Sequence, residues 1–182
     1  MTQEIEINAF IALTIGFVVF FLGQQLTKKI RFLSDYNIPE PVSGGIAVAL
    51  LTWAVYAFLD REISFDLSAR DALLVYFFTT VGLNARFSDL LRGGLPLALL
   101  LGATVAFMFL QNLVGAAAAL LWGLPSQVGV LLGTASLIGG HGTAIAWGPR
   151  IAETYNVAGA TELGVAMATM GLIVASLLGG PI

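Results

Sequence analysis

The sequence Ser136-Leu-Ile-Gly-Gly-His-Gly-Thr143 lies within a long stretch, residues 93–149, that contains no Asp, Glu, Lys or Arg. Its three glycines fall within four residues, and each glycine costs a helix about 1 kcal/mol relative to alanine. We therefore expect the backbone to leave regular helix here. Broken backbone at membrane depth has unpaired N–H and C=O groups, so it must be buried in protein or line a watery cavity. Transporters hold solutes and ions in this kind of arrangement.

The composition indicates a membrane protein. Of 182 residues, 58% are hydrophobic and 10% are charged, whereas soluble domains have about 25% charged residues. A chain of this length could not hide so much apolar surface from water, so we expect lipid around it. The absence of cysteine excludes disulfides and thiolate metal sites. The amino-terminal residues are acidic and lack the basic region of a removable signal peptide.

Apolar runs of about 20 residues predict transmembrane helices. The runs that fit or nearly fit are residues 8–27, 38–59, 71–84, 95–122 and 161–178. Residues 127–153 are also apolar, but the glycine cluster divides them into two pieces of about a dozen residues each, which favours a re-entrant hairpin. A full crossing by this segment stays open. The expected fold is all-α and integral to the membrane, with about five transmembrane helices and one re-entrant Gly-rich hairpin. It would form a single transmembrane domain over residues 1–182.

The basic residues predict the orientation. In this arrangement, one side of the membrane has five of them: Lys28, Lys29, Arg31, Arg86 and Arg92. The other side has three: Arg61, Arg70 and Arg150. The positive-inside rule makes the first side cytoplasmic, which places the amino terminus outside.

The tip of the hairpin has the strongest binding chemistry in the sequence. The first short helix would end in free carbonyls with partial negative charge, and the second would begin with free amides of partial positive charge. One tip could therefore face a small cation and a carboxylate. The candidate Na⁺ ligands are oxygens of Thr134, Ser136 and Ile138. The candidate substrate-binding residues at the tip are Gly139, Gly140, His141, Gly142 and Thr143.

Three polar side chains allow alternative interpretations. His141, the only histidine in the chain, could donate to a carboxylate or carry a proton, or it could hydrogen-bond backbone at the turn. Glu162 and Thr169, on the last predicted span, are further substrate-binding candidates. Glu162 could instead complement the dipole at a helix start, and Thr169 could bond back to a carbonyl of its own helix. The glycines themselves could serve only close helix packing.

Five motifs occur together: Ile38-Pro-Glu-Pro-Val-Ser-Gly-Gly45, Thr80-Val-Gly-Leu-Asn84, Gln111-Asn112, Gly139-Gly-His-Gly-Thr143 and Ala160-Thr-Glu162. In their order and spacing, residues 36–181 resemble the N-terminal half of the bacterial sodium/glutamate symporter family. The resemblance implies a transporter and no enzyme. It implies Na⁺-coupled uptake of L-glutamate or a related dicarboxylate across the bacterial inner membrane, with no organic cofactor and no nucleic-acid partner. It also implies a homodimer with an elevator-like motion, in which the family's Gly-Gly-x-Gly loop corresponds to residues 139–142.

Members of that family are longer and have two homologous halves of inverted topology. No second Gly-Gly-His-Gly pattern occurs in this chain, and an inverted-repeat site needs both tips near the midplane. We therefore expect one half of an inverted-repeat transporter. The second half would belong to the same chain, to another chain, or to an oppositely oriented copy.

Other classes of function stay open at this point. The glycine loop could be the selectivity filter of a channel-like pore, which would need several copies around an axis. The chain could also be a non-transporting membrane assembly subunit. An intramembrane hydrolase using Ser136 and His141 is disfavoured, because no orienting carboxylate and no Gly-x-Ser-x-Gly elbow accompany them.

Overall fold

The structure, a computed structural model, describes residues 3–86, 88 and 92–179. The elements in the amino-terminal part are β1 (Gln3–Ile7), α1 (Ala9–Lys29), α2 (Arg31–Asp35), α3 (Glu40–Leu59), β2 (Arg61–Phe65) and α4 (Ser68–Asn84). They are followed by α5 (Gly94–Leu121), a 3₁₀ turn (Ser126–Val128), α6 (Gly129–Leu132), α7 (Thr134–Leu137), α8 (Gly140–Tyr155) and α9 (Ala160–Gly179). The all-α membrane fold expected from the sequence is confirmed, with one short sheet added.

Four helices within the described residues are long and apolar enough to cross a membrane: α1, α3, α5 and α9. Helix α4 has 17 residues and corresponds to the shortest predicted run. Large apolar side chains on the helices are not covered by the rest of the chain: Phe58 is 82% exposed and Leu121 is 87% exposed. Lipid covers such faces in a membrane. The chain is therefore a multi-pass membrane protein.

Two compact units make up the chain, residues 1–83 with 175–182, and residues 84–174. In the first unit, α1 and α3 pack as an antiparallel pair. Gly23 on α1 lies against the backbone of Glu40, and Gly44 on α3 lies against the carbonyl of Val19. A Cβ atom at either glycine would collide with that backbone, so glycine is what permits this close approach. Whether residues 1–182 behave as one domain stays a prediction.

The sequence analysis did not predict the sheet, in which β1 pairs with β2 in parallel and Ile5 lies opposite Ile63. Because β1 leads into α1 and β2 follows α3, both strands lie at the same end of the helix pair. After β2, the backbone N–H of Ser68 donates to the Asp66 carboxylate at 2.9 Å. This hydrogen bond lowers the pKa of Asp66.

The second unit is built around a small apolar core. Its buried members are Ala119, Val128, Leu131, Ala135, Ile151 and Ala160. Val128 and Ile151 come from opposite ends of the segment that was predicted to form the hairpin, and they meet beside the end of α5 and the start of α9. The chain therefore folds back between them.

Candidate functional site

Residues 126–155 form a hairpin whose two arms are both apolar. The first arm comprises the 3₁₀ turn, α6 and α7, and the second arm is α8. The backbone turns between Leu137 and Gly140, where the glycine cluster was predicted to break the helix. Gly140 has φ +74°, a conformation that glycine adopts without the steric cost of a Cβ atom. The first arm has a second break at Gly133 (φ −114°, ψ −123°), which the sequence analysis did not predict.

The tip of the hairpin lies halfway along α9. A Cβ atom placed on Gly148 would lie 2.6 Å from Cα of Thr161, and one on Gly171 would lie 2.7 Å from Cδ2 of Leu137. The hairpin therefore runs antiparallel to α9, with its tip beside the middle of that 20-residue helix. Ten residues of helix rise about 15 Å, which is half of a hydrocarbon core of about 30 Å.

A hydrogen bond joins the tip to α9. Nε2 of His141 lies 2.9 Å from Oγ1 of Thr169, and the Thr169 hydroxyl donates to the carbonyl of Val165 at 3.0 Å. Two side chains that the sequence analysis selected separately are thus in contact, although 28 positions separate them. The back-bonding expected of Thr169 as an alternative role is also present.

Among the glycines of the tip, Gly139 is closely packed. The Thr143 hydroxyl donates to the carbonyl of Gly139 at 3.1 Å. A Cβ atom on Gly139 would lie 2.6 Å from both Oγ1 of Thr143 and the carbonyl oxygen of Ala135, so no larger residue fits there. Gly140, in contrast, has no atom within 4 Å of such a Cβ position. The first turn of α8, which includes Gly142, therefore begins at an open surface with free amides.

Thr134 is tied to α5 from two directions. Its backbone N–H donates to Oδ1 of Asn112 at 2.9 Å, and its hydroxyl donates to the carbonyl of Met108 at 3.1 Å. Asn112 thus caps the first free amide of α7 beyond the break at Gly133. The pair Gln111-Asn112 lies in the middle of a predicted span, where amides are expected to hydrogen-bond a neighbouring helix, and Asn112 makes such a bond here.

Ser136 is the most deeply buried polar residue of the candidate site, with 2% of its surface exposed. Its Oγ finds no hydrogen-bond partner among the described residues, and neither does the buried Oε1 of Gln111. Oγ of Ser136 points toward α9, since a Cβ atom on Gly164 would lie 3.6 Å from it. A buried hydroxyl without a partner costs about 1–3 kcal/mol, and such a group calls for a ligand or a water as its explanation.

Neutral oxygens are the donors available for a cation here. Among residues 3–86, 88 and 92–179, no group of three or more His, Cys, Asp or Glu side chains could hold a metal ion. Thr134 and Ser136 contribute hydroxyl oxygens from one short helix, while the side chain of Ile138 is 44% exposed. Hydroxyl and carbonyl oxygens suit a hard ion, and they do not suit zinc or copper.

Glu162 stays apart from these residues. It lies exposed in the first turn of α9, seven positions before Thr169, which is about 10 Å along a helix. The position matches the dipole-complementing role that was the alternative for this carboxylate. The site that the structure assembles comprises His141, Thr143 and Thr169 at the tip, with Thr134 and Ser136 beneath it.

Comparisons with known proteins identify the family of the chain. The sequence model of a family described as "Sodium/glutamate symporter" matches residues 5–182. The sodium/glutamate symporter of Escherichia coli (strain K12) is 42% identical over 161 residues, which cover 88% of this chain and 40% of that protein. The sodium/glutamate symporter of Haemophilus influenzae is 39% identical over 172 residues, which cover 93% of this chain and 42% of that protein. The chain thus spans about two fifths of the length of these relatives. No solved structure matches it significantly.

Proposed function

Because the chain belongs to the sodium/glutamate symporter family, we propose that it forms the hairpin-bearing half of a transporter that couples the uptake of L-glutamate to Na⁺. The observation that carries the proposal is the hairpin tip, which combines open helix amides with a buried, unpartnered hydroxyl at the middle of α9. The symporter name belongs to relatives that are longer than this chain, so the activity, the substrate and the ion are inferred from them.

The hairpin is proposed to be re-entrant. Its open end packs beside the end of α5 and the start of α9, and its tip reaches the middle of α9. A segment with this geometry enters and leaves the membrane on one side. With the amino terminus on the periplasmic side of the bacterial inner membrane, the hairpin enters from the periplasm.

Na⁺ is proposed to bind first, as a co-transported substrate, at oxygens of Thr134, Ser136 and Ile138. The support is the buried hydroxyl of Ser136, which gains a partner when an ion binds. A bound cation makes the tip more positive and so favours an anionic substrate. The carboxylates of glutamate, or of a related dicarboxylate, would then meet the amides of residues 139–143, with Thr169 as a further contact.

The complete site is proposed to need a second tip of inverted topology. Inverted-repeat transporters form their sites between two such elements near the midplane, and this chain covers 40% of the E. coli relative. A homodimer, in which the tip and the helices around it move against a scaffold, is proposed by analogy with the family.

The test is Na⁺-dependent uptake of labelled L-glutamate into vesicles. One sample contains this chain alone, and a second contains this chain fused to the part of the E. coli relative that it does not match. The unmodified E. coli relative serves as the positive control, and a choline gradient replaces Na⁺ in the negative control. We expect uptake by the fusion and none by the chain alone.

The other results are equally informative. Uptake by the chain alone would show that its copies complete a site without a second half. A fusion that inserts in the membrane but takes up no glutamate, while the relative does, would contradict the proposal.

A further inference from the structure

The pair of His141 and Thr169 determines where the protons of the imidazole ring lie. A threonine hydroxyl has one proton to donate and accepts through its lone pairs. In this structure the Thr169 hydroxyl donates to the carbonyl of Val165 at 3.0 Å. While its proton lies in this bond, the hydroxyl accepts from Nε2 of His141, at 2.9 Å, and Nε2 is then the protonated nitrogen.

The other ring nitrogen, Nδ1, is consequently a hydrogen-bond acceptor. In a neutral imidazole one nitrogen donates and the other accepts, so Nδ1 has a free lone pair. Within the described residues, the bond to Thr169 is the only hydrogen bond of the His141 ring. The ring is half-buried at the tip of the hairpin, where the amides of α8 begin. The amides are donors that suit carboxylates, whereas Nδ1 is an acceptor that suits a different group.

We propose that Thr169 is a positioning residue that holds His141 in the Nε2-protonated tautomer, so that Nδ1 accepts a hydrogen bond from the ammonium group of an amino-acid substrate. This inference rests on the proposed function and adds a basis for specificity to it. The helix amides select a carboxylate and do not distinguish an amino acid from a dicarboxylate. An acceptor at Nδ1 makes that distinction, because a dicarboxylate without an amino group leaves it unpaired. In this tautomer the ring N–H is used by Thr169, so His141 accepts from an ammonium group and does not donate to a carboxylate.

The tautomer can be measured without any transport. The chain has a single histidine, so ¹⁵N-histidine labelling gives one pair of ring signals. The spectra are recorded in lipid nanodiscs at about pH 8, above the ordinary histidine pKa of about 6.5. We expect one Nε2-protonated tautomer in the unmodified chain and in Thr169→Ser, which keeps the hydroxyl. We expect a mixture of tautomers in Thr169→Val, which keeps the shape and loses the hydroxyl.

A matched control comes from another threonine. The Thr14 hydroxyl donates to the carbonyl of Phe10, four residues earlier, at 2.9 Å, as Thr169 does to Val165, but it has no histidine partner. Thr14→Val should leave the ring signals unchanged. An Nδ1-protonated ring in the unmodified chain, or an unchanged ring in Thr169→Val, would overturn the proposal.

The consequence for specificity is measured in the fusion protein, by competition against labelled L-glutamate uptake. The competitors are unlabelled L-glutamate and glutarate, which is the same molecule without the amino group. A hydrogen bond to a charged group contributes enough for glutarate to compete about tenfold or more weakly in the unmodified fusion. Thr169→Val should reduce this ratio, and Thr169→Ser should restore it.

The two measurements separate the two hypotheses. An Nε2-protonated ring in the chain, together with a fusion that takes up no glutamate, would refute the transport function and leave the tautomer intact. Normal uptake with equal competition by glutarate and glutamate would refute the role of His141 and leave the transport function intact.

Discussion

In the first unit, α1 and α3 approach each other through Gly23 and Gly44, whereas in the second unit the hairpin approaches α9 through Gly148, Gly164 and Gly171. In both contacts glycine, which has no side chain, lets two backbones approach closely. They differ in the polar groups beside them. Beside the first contact, the hydroxyls of Thr27 and Ser43 lie 3.5 Å apart near one end.

The second contact has buried and half-buried polar atoms beside it. Ser136 is buried beside Gly164 without a partner among the described residues, and His141 contacts Thr169. Glycine contacts therefore indicate packing in both units, and the polar atoms beside them distinguish a candidate binding site from a plain helix contact.

The largest effect is expected from Gly140→Val at the tip. Gly140 has φ +74° and Gly123, in a turn away from the tip, has φ +71°, and neither has an atom within 4 Å of a Cβ position. Valine at either residue incurs a similar backbone cost of about 1–2 kcal/mol. In the fusion protein we expect Gly140→Val to abolish Na⁺-dependent uptake and Gly123→Val to retain most of it.

For Gly140→Val and Gly123→Val, the measured quantity is the initial rate of glutamate uptake divided by the amount of protein inserted in the membrane. Equal losses in the two variants would show that backbone strain alone explains the effect. Normal uptake by Gly140→Val would remove the tip from the binding site.

A smaller effect on stability, and none on specificity, is expected from the contact in the first unit. A Cβ atom on Gly44 collides with the carbonyl of Val19, while a Cβ atom on the adjacent Gly45 has nothing within 4 Å. Gly44→Ala should lower the free energy of unfolding by about 1–3 kcal/mol, as overpacking does. Gly45→Ala should be neutral or stabilising by up to about 1 kcal/mol, because alanine is the better helix former.

Unfolding of the Gly44→Ala and Gly45→Ala variants can be followed by circular dichroism in mixed micelles as the fraction of a denaturing detergent is increased. If Gly44→Ala were as stable as Gly45→Ala, then α1 and α3 would not pack at this distance. A change in the ratio of glutamate to glutarate competition would assign the first unit a role in recognition.

The smallest difference is expected between two asparagine caps. Asn112 accepts from the backbone N–H of Thr134 at 2.9 Å in a partly buried position, and Asn8 accepts from the N–H of Ile11 at 3.0 Å in an exposed one. Loss of a cap costs about 0.5–2 kcal/mol, and the larger cost arises where no water can replace the lost acceptor. Asn112→Leu should therefore destabilise the protein more than Asn8→Ala in the same unfolding experiment. The reverse order would indicate that water reaches the break at Gly133.

Much of the membrane topology could be predicted from the sequence, because each spanning helix is a separate apolar run of the required length. The predicted run of residues 161–178 became α9, Ala160–Gly179, and that of residues 8–27 became α1, Ala9–Lys29. The β1–β2 pair was missed, because each strand has only five residues and the helices α1, α2 and α3 separate the two strands. The break at Gly133 was missed as well, since its cause is tertiary: Oδ1 of Asn112 lies 2.7 Å from the position of a Cβ atom there.

The candidate site was predicted residue by residue, but its contacts were not. The glycine cluster identified the tip, and His141 and Thr169 were selected for their polarity inside apolar runs. Their contact depends on the hairpin folding back antiparallel to α9, which no local pattern encodes. The binding roles of all the candidate residues stay predictions. Glu162 lies exposed in the first turn of α9, and the backbone N–H of Ile138 donates to the carbonyl of Thr134 at 3.1 Å.

The parallel pairing of β1 with β2 has a consequence for the order in which the chain assembles. Residue 3 lies opposite residue 61, so the ladder can close only after α1 has crossed the bilayer and α3 has returned to the starting side. A chain that halts after one crossing leaves the strand at its amino end without a partner. Once closed, the ladder resists sliding of one helix past the other, because a slip of one residue, about 3.3 Å, turns every side chain of a strand to the opposite face. The small sheet therefore forms after the first two crossings, and it keeps α1 and α3 in register.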